Sequence, residues 1–348
     1  MRNNITMRDI ADQLGVSSVT VSKALGDKEG VSEELKEKIK QTASEMGYRM
    51  NSVAKSMRAG FSYNLGVIMA ERYTDYSQSF YHQFFEHISK ASEEYKYSAI
   101  LHILTTDDED HLILPRVYHE QKVDGLVVLG QISGEYIEAL DKVDVPVVFL
   151  DFYTDNPEMD CVITDNFYGM YELTNYLIHK GHRDIAFVGN LHSTSSIQDR
   201  FLGFYKSLLE HKIPLREASI INDRDDKGHS IDLQLPEVMP TAFACNCDRV
   251  AYNLINTLNK KGYQIPRDCS VVGFDNDLFS ALTEPKLTTV EVNMAEMAKL
   301  AVKTTIKKMA NKSLGHGRVS IKGKVIYRDS VSVPSMPNRQ IDEKETTR

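Results

Sequence analysis

The sequence lacks the features that define several large classes of protein. Its 348 residues contain no apolar run long enough to span a membrane, and no apolar signal core lies near the N-terminus. A glycine-rich phosphate loop, a nucleophile elbow and a metalloprotease motif are also missing. We therefore expect a cytoplasmic protein that is not an enzyme and has no catalytic residues.

Cysteine is scarce and scattered, at positions 161, 245, 247 and 269, which is typical of a reducing compartment with free thiols. Cys245 and Cys247 suggest a metal site, but no His-rich or CxxC segment accompanies them. The acidic run 107–110 has neither the alternating ligand spacing nor the central glycine of an EF-hand, and we interpret it as the solvated start of a helix. The sequence thus predicts neither a metal nor a cofactor.

Net positive charge is confined to the start of an acidic chain. Residues 1–60 carry ten Lys and Arg against eight Asp and Glu, a net +2, whereas the whole chain has a net charge of −8 and the remainder therefore −10. This asymmetry favours a DNA-binding module attached to a body that does not bind nucleic acid.

The first 25 residues predict two short helices joined by a tight turn. Thr6 and Asp9 have the spacing of a capping box, Gly15 can end the first helix, and Ser17 can cap the second. The second helix exposes four side chains, which are Ser18, Val19, Ser22 and Lys23. This arrangement is typical of a helix-turn-helix module that enters the major groove, although a small helical hairpin without DNA function has the same pattern.

A third helix and a short hinge follow the helix pair. Ser32 can cap a helix whose apolar positions 35, 39, 43 and 46 complete a small three-helix head. Asn51 can cap the segment 52–58, which is too short to be a stable helix alone. A plain solvated linker is the alternative interpretation of this segment.

The body alternates short apolar runs with helical segments. We predict strands at 65–70, 98–103, 125–129, 145–150, 185–188, 219–221, 241–245, 270–274, 325–327 and 331–333. Such a series favours parallel sheets covered by helices on both faces, and its repetition favours two lobes, with helix 294–310 crossing back between them. Because ligands of these sheets bind beyond the carboxyl ends of the strands, we expect a cleft between the lobes.

Three segments of the head, Ile5–Ala11, Gly15–Ser17 and Thr20–Ser22, resemble the opening signature of the lactose-repressor (LacI/GalR) family of bacterial transcription regulators. Similar landmarks recur to about Pro334. The resemblance implies a helix-turn-helix head and an α/β two-lobed domain of the periplasmic-binding-protein type, with doubly wound parallel sheets. It also implies a homodimeric regulator, expected to be a repressor, that binds a near-palindromic double-stranded DNA operator and a small-molecule effector, expected to be a carbohydrate.

We divide the chain accordingly into a helix-turn-helix domain at 1–50, a hinge at 51–60, a two-lobed effector-binding and dimerisation domain at 61–334, and a polar tail at 335–348 that we expect to be disordered. The N-lobe is expected at about 61–162 and 292–324, and the C-lobe at about 163–291 and 325–334. Because the tail lacks heptad leucines, we expect a dimer and not a tail-assembled tetramer.

For DNA binding, the resemblance implies recognition-helix residues and a hinge that folds on DNA and inserts an apolar side chain into a minor-groove step. Met50 and Met57 stand where Pro and Leu are usual, and Lys23 stands where many members have Arg, which recognises guanine with better-defined geometry. The expected DNA-binding residues are Thr6, Ser17, Ser18, Val19, Thr20, Ser22, Lys23, Asn51, Val53, Ala54, Lys55 and Met57.

For the effector, candidates lie near the ends of predicted strands and at the start of helices that line the cleft. Carboxylates and amides can bond sugar hydroxyls, an arginine offers a fixed fork of donors, and an aromatic ring offers a stacking face. The expected effector-binding residues are Phe80, Asp151, Phe152, Asp165, Ser195, Arg200, Asn246, Asp248 and Asp275.

Some of these candidates have other interpretations. Asp165 and Asp248 can instead cap helices, and Phe152 can belong to the core. The resemblance implies that Asp151, Phe152, Arg200 and Asp275 occupy effector-contacting positions. At residue 247 the chain has Cys where sugar-responsive members often have Asn, and a thiol cannot supply an amide's paired donor and acceptor.

Three alternative functions remain open at this point. A regulator of the same family can take its ligand or a phosphoprotein as a corepressor. An extracytoplasmic sugar-binding protein would share the two lobes, but the head and the missing signal core oppose it. A nucleotide-cofactor enzyme on a doubly wound sheet would need a glycine fingerprint after the first strand, and none follows residues 65–70.

Overall fold

Three short helices build the N-terminal unit of the chain. The computed structural model describes residues 5–49, 60–74, 79–225, 228–311 and 315–334, and the chain divides into the units 1–62 and 63–348. In the first unit α1 spans Met7–Leu14, α2 spans Ser18–Leu25 and α3 spans Glu33–Glu45. The predicted hinge residues Met50, Asn51, Val53, Ala54, Lys55 and Met57, and the tail 335–348, lie outside the described residues.

The predicted caps of the head are confirmed. The Asp9 amide donates to the Thr6 hydroxyl at 3.3 Å and the Thr6 amide donates to the Asp9 carboxylate at 2.7 Å, which closes the capping box. Gly15 has φ 66°, a left-handed conformation that ends α1 without a Cβ penalty. The small core of the head consists of Ile10, Ala11, Val21, Ala24, Ile39 and Ala43.

The N-lobe is organised around a parallel sheet whose spatial order is β11-β5-β4-β3-β1-β2. Its strands are β1 Asn64–Ala70, β2 Ser98–Leu104, β3 Gly125–Leu129, β4 Val147–Leu150, β5 Asp160–Thr164 and β11 Arg318–Ile321. Its helices are α4 Ser79–Glu94, α5 Thr106–Asp110, α6 Arg116–His119, α7 Gly134–Leu140 and α12 Met294–Ala310. Alternate strand residues pack on α4 and α12 on one face and on the α7 side on the other, as predicted for a doubly wound sheet.

The C-lobe repeats this plan with a parallel sheet in the order β7-β6-β8-β9. The strands are β6 Ile185–Val188, β7 Ile220–Ile221, β8 Ala242–Cys245 and β9 Ser270–Val272, beside an antiparallel pair of β10 Thr289–Glu291 and β12 Lys324–Ile326. The helices are α8 Asn166–His179, α9 Ser195–Glu210, α10 Asp248–Lys260 and α11 Leu278–Leu282. The chain crosses between the lobes after β5, β10 and β11.

The prediction of a strand at 331–333 was wrong. This segment runs beside β9, but serine side chains make several of the bonds that a strand ladder would make. The Ser332 amide donates to Ser270 Oγ at 3.0 Å, and Ser330 Oγ donates to the Val271 carbonyl at 2.6 Å. The sequence prediction also missed β5, β10 and β11. Among the described residues no helix is long and apolar enough to cross a membrane.

Helices α8 and α9 pack closely because Gly203 of α9 has no side chain. A Cβ at this position would lie 2.1 Å from the backbone oxygen of Phe167 at the start of α8. The contact joins the two helices that cover one face of the C-lobe sheet. A methyl group at residue 203 would therefore have to push α8 and α9 apart.

We expect Gly203→Ala to lower the melting temperature strongly, because overpacking against backbone costs about 3 kcal/mol. Gly134→Ala is the matched control: Gly134 starts α7, and a Cβ added there would meet nothing within 4 Å. Its melting temperature should be unchanged or slightly raised by the better helix propensity of alanine. Thermal unfolding followed by circular dichroism measures both, and equal melting temperatures would contradict the close helix packing.

Candidate functional site

A cleft of about 660 Å³ lies between the two lobes, at the carboxyl ends of their parallel strands. Both lobes contribute charged and polar side chains to it, and the N-lobe adds aromatic rings. The N-lobe residues that matter below are Arg72, Tyr73, Phe80, Tyr81, Glu109, Gln131 and Asp151. Those of the C-lobe are Arg200, Arg224, Asn246, Cys247 and Asp275.

Arg200 is the buried centre of the C-lobe wall. Its Nε donates to Asn166 Oδ1 at 2.7 Å, and one terminal nitrogen donates to the Asn246 carbonyl at 2.6 Å. The other terminal nitrogen lies 3.2 Å from Asp275 Oδ1, and the guanidinium stacks 3.9 Å above the ring of Phe274. The planar group is therefore fixed in orientation at the base of the cleft.

Asp151 and Asp275 bring two buried carboxylates from opposite lobes towards Arg200. Oδ1 of Asp151 has no hydrogen-bond partner among the described residues, whereas Oδ1 of Asp275 is ion-paired with Arg200 at 3.2 Å. Both residues adopt positive φ, 71° for Asp151 and 109° for Asp275. An unsatisfied buried acceptor is costly, so Oδ1 of Asp151 is suited to a ligand that carries hydroxyl or amino donors.

Burial dominates the electrostatics of both carboxylates. It raises the pKa of Asp151 from 3.8 to about 6, and that of Asp275 from 3.8 to about 8, with Arg200 opposing both shifts. The negative charge of Asp151 contributes to the shift of Asp275. A ligand that donates hydrogen bonds to these groups favours their ionised forms.

The N-lobe wall combines an aromatic surface with a fixed ion pair. The Tyr81 hydroxyl donates to Asp151 Oδ2 at 3.0 Å, and the Tyr73 ring lies 4.7 Å from the Tyr81 ring. Arg72 binds Glu109 through both terminal nitrogens, at 2.6 and 3.2 Å. Burial alone would raise the pKa of Glu109, but Arg72 and the Ser133 amide outweigh it and lower that pKa.

Two hydrogen-bond contacts join the lobes at the margins of the cleft. Gln131 Oε1 accepts from both the amide and the hydroxyl of Ser195, at 2.9 and 3.2 Å. The Tyr153 hydroxyl donates to Asp199 Oδ1 at 3.0 Å. Ser195, a predicted effector-binding residue, thus makes an interlobe contact and does not appear among the residues that line the cleft.

The structure separates the remaining predicted effector residues into two groups. Phe80, Asp151, Arg200, Asn246 and Asp275 line the cleft together. The other three do not, and they are Phe152, Asp165 and Asp248.

Each of these three side chains has a structural partner instead. The Phe152 ring packs 4.8 Å from that of Phe149 in the N-lobe core. Asp165 caps α8 by accepting from the Tyr168 amide at 3.0 Å. Asp248 is fully buried and accepts from the Asp277 amide at 3.0 Å and from the Thr289 hydroxyl at 2.6 Å.

Several residues that line the cleft were not predicted from the sequence. Arg72, Glu109 and Gln131 follow β1, β2 and β3, so the strand-end rule applied to every strand would have found them. The interpretation of 107–110 as a solvated helix start was wrong for Glu109, which is 5% exposed and pairs with Arg72. Arg224, bound through two nitrogens to Asp223, came from a loop without a sequence pattern.

Cys247 lines the cleft between Asn246 and Asp248. Burial raises the pKa of its thiol to about 12, so it is protonated at neutral pH. It occupies the N-cap of α10 without making a side-chain capping bond. At this point of the wall a ligand would meet a neutral thiol, which lacks the paired donor and acceptor of an amide.

The head exposes one face of α2. Ser18, Val19, Ser22 and Lys23 are exposed as predicted. Ser17 caps α2 by accepting from the Thr20 amide at 3.0 Å, and its hydroxyl lies 2.9 Å from the Thr20 hydroxyl. The hydroxyl groups of Ser17, Thr20 and Thr6 are thus engaged in local structure, which leaves the exposed face of α2 as the surface available for a partner.

Comparison with known proteins agrees with both parts of the chain. Residues 6–51 match the family model for bacterial regulatory proteins of the lacI family, and residues 174–331 match that for a periplasmic binding protein-like domain. The HTH-type transcriptional regulator RegA of Clostridium saccharobutylicum is 29% identical over 93% of this chain and 98% of its own length. Residues 6–51 are therefore a regulatory domain of the lacI type. The protein is a DNA-binding regulator of transcription and not an enzyme.

Other bacterial regulators match over similar lengths. Catabolite control protein A of Priestia megaterium is 27% identical over 94% of this chain and 99% of its own. The crystal structure of the lac repressor dimer bound to operator and the anti-inducer ONPF has a TM-score of 0.75 at 21% identity, covering 95% of this chain and 100% of the other. A CelR–cellobiose complex has a TM-score of 0.66 at 20% identity, covering 94% and 100%. These structural likenesses support the fold of this protein.

The raised pKa of Asp275 predicts a pH dependence of stability. Because the folded protein holds this proton more tightly than the unfolded chain, the free energy of unfolding falls as pH rises from near 3.8 to about 8. We expect Asp275→Asn to remove this loss, so that the variant gains on the wild type by up to about 1.4 kcal/mol per pH unit. Urea unfolding at several values between pH 5 and pH 8 measures the difference.

Asp268→Asn is the control for this prediction. Asp268 is half-buried, and its hydrogen bond with Arg267 lowers its pKa, so it is ionised throughout the same pH range. Its difference from the wild type should therefore be constant between these pH values. A constant difference for Asp275→Asn as well would contradict the shift at Asp275.

Proposed function

We propose that this lacI-family regulator is a homodimeric repressor that binds a near-palindromic operator and is controlled by a small carbohydrate. One observation carries the effector assignment: Arg200 and the carboxylates of Asp151 and Asp275 meet from two lobes in a cleft of about 660 Å³. The cleft places a fixed guanidinium near two buried carboxylates, one of which has an oxygen without a partner, and this combination suits a ligand rich in hydroxyl groups.

We propose that α2 enters the major groove, with Ser18, Val19, Ser22 and Lys23 nearest the base edges. Thr6, Ser17 and Thr20 position this helix. The hinge residues Asn51, Val53, Ala54, Lys55 and Met57 would pair with those of the second subunit and bend the operator, although they lie outside the described residues. Their support is the resemblance of the sequence to hinge segments of the family.

The effector we propose is a neutral mono- or disaccharide. Its hydroxyls would donate to Asp151 and Asp275 and accept from Arg200, while Tyr81 and Phe80 would offer an apolar face to the ring. The structure of CelR, which shares the fold, is a complex with cellobiose. The volume of the cleft exceeds that of one sugar ring, so a disaccharide fits this proposal.

Control of DNA binding would follow from the angle between the lobes. A ligand that bridges Asp151 and Asp275 favours one angle, and the angle favours or disfavours pairing of the two hinges. A coupling of about 1–3 kcal/mol is enough to change operator occupancy many-fold. The division of labour is then DNA binding by 1–50, coupling by 51–60 and effector binding and dimerisation by 61–334, in the cytoplasm where the operator lies.

We expect the full-length protein to select a palindromic sequence from a random DNA library. Lys23→Ala should weaken binding to this sequence about ten-fold and relax the selection of the base pair that Lys23 contacts. Lys142→Ala, an exposed lysine of the N-lobe, is the matched control and should bind normally. Gel-shift titrations at two salt concentrations measure both, and binding without sequence selection would contradict the repressor assignment.

A thermal-shift screen of mono- and disaccharides should identify a stabilising effector. Asp151→Asn should lose most of the shift, because it removes one charged acceptor while keeping the size of the side chain. Asp165→Asn is the control, since Asn caps helices as well as Asp and this residue lies outside the cleft. Loss of the response in Asp165→Asn but not in Asp151→Asn would show that the ligand binds elsewhere.

A further inference from the structure

Among the described residues of α1, α2 and α3, Val19 is the one large apolar side chain that is exposed. It is 66% exposed and lies in the first turn of α2. The other large apolar residues of these helices are buried or half-buried in the core of the head. Within this small unit the exposed isopropyl group contributes little to packing, so it is free to contact whatever the exposed face of α2 binds.

The surroundings of Val19 define the chemistry of that contact. The hydroxyls of Ser17 and Thr20 beside it carry no charge and bond to each other at 2.9 Å. Lys23 lies one turn further along, and its Nζ turns towards Gly30, where a Cβ would lie 3.3 Å from it. The amino-terminal part of the exposed face is therefore uncharged and has an apolar tip.

The major groove offers one apolar group to such a tip. Base edges there present hydrogen-bond donors and acceptors, except for the 5-methyl group of thymine. A donor or acceptor pressed against Val19 would lose its water without gaining a partner, which weakens binding about ten-fold or more. A methyl group loses no hydrogen bond, and both apolar surfaces leave water.

We propose that Val19 is a specificity-determining residue that contacts the 5-methyl group of a thymine in each half of the operator. This inference rests on the proposed insertion of α2 into the major groove. It assigns a chemical preference to one position of an operator whose sequence is otherwise undetermined. It also distinguishes Val19 from Ser18 and Ser22, whose hydroxyls can bond to several base edges.

The test uses the full-length protein and the operator selected from the random library. Each thymine is replaced in turn by deoxyuridine, which removes the 5-methyl group and keeps every hydrogen-bonding group. We expect one thymine in each half-site at which the replacement weakens wild-type binding about four-fold, and about fifteen-fold when both half-sites are changed. Fluorescence anisotropy titrations measure the dissociation constants.

Val19→Ala completes a double-mutant cycle between the side chain and the thymine methyl group. It should bind the thymine operator about as weakly as the wild type binds the deoxyuridine operator, and it should show no further loss on deoxyuridine. Val238→Ala removes the same methyl groups from a side chain that is 74% exposed in the C-lobe, and it should keep the wild-type response. Circular dichroism melts of the variants confirm that the head is folded.

Three results would overturn the inference. One is the absence of any thymine at which deoxyuridine weakens binding, and another is a full deoxyuridine effect in Val19→Ala. The third is an equal loss for Val19→Ala on every operator with no coupling to any thymine, which would place Val19 against protein or the DNA backbone. In all three the protein still selects an operator, whereas failure of the proposed function would leave no selected operator.

Discussion

A guanidinium cannot lie in a protein interior without partners that compensate its charge and satisfy its donors, and Arg200 imposes this requirement on the C-lobe. The partners come from the start of α8, the end of β8 and the end of β9, namely Asn166, the Asn246 carbonyl and Asp275. Phe274 closes the remaining face. The arrangement of the C-lobe strand ends therefore follows from the needs of one buried cation.

The N-lobe contributes a carboxylate that faces Arg200 across the cleft. Asp151, held by Tyr81, adds a second negative group to a cleft in which Arg200 already has Asp275 beside it. Two carboxylates then share one cation, and burial raises the pKa of both. Hydroxyl donors from a ligand can stabilise both ionised groups at once, which ties ligand binding to the approach of the two lobes.

Local patterns in the sequence predicted much of this architecture. Helix caps such as Thr6 with Asp9, and the alternation of strands and helices, depend on neighbouring residues and could be predicted. The failures concern distant partners. Asp248 looked like a ligand group, but its hydroxyl partner Thr289 lies 41 residues away in sequence.

Strand ends located the cleft, but they did not decide the direction of each side chain. Asp151 and Phe152 are neighbours, yet the left-handed backbone at Asp151 turns its carboxylate into the cleft while Phe152 enters the core. Backbone dihedrals of this kind are set by the packed fold and not by the two residues alone. The packed fold likewise decides that residues 331–333, predicted as a strand, are bonded to β9 partly through serine side chains and not through a backbone ladder alone.

The backbone of Asp275, with φ 109°, has a consequence for how this protein can change. A side chain in that conformation costs about 1–3 kcal/mol that glycine would not cost. Substitutions that relax this residue would make the protein more heat-resistant while removing the acceptor that a ligand needs. Adaptation to higher temperature and retention of the proposed effector site therefore compete at a single position of the chain.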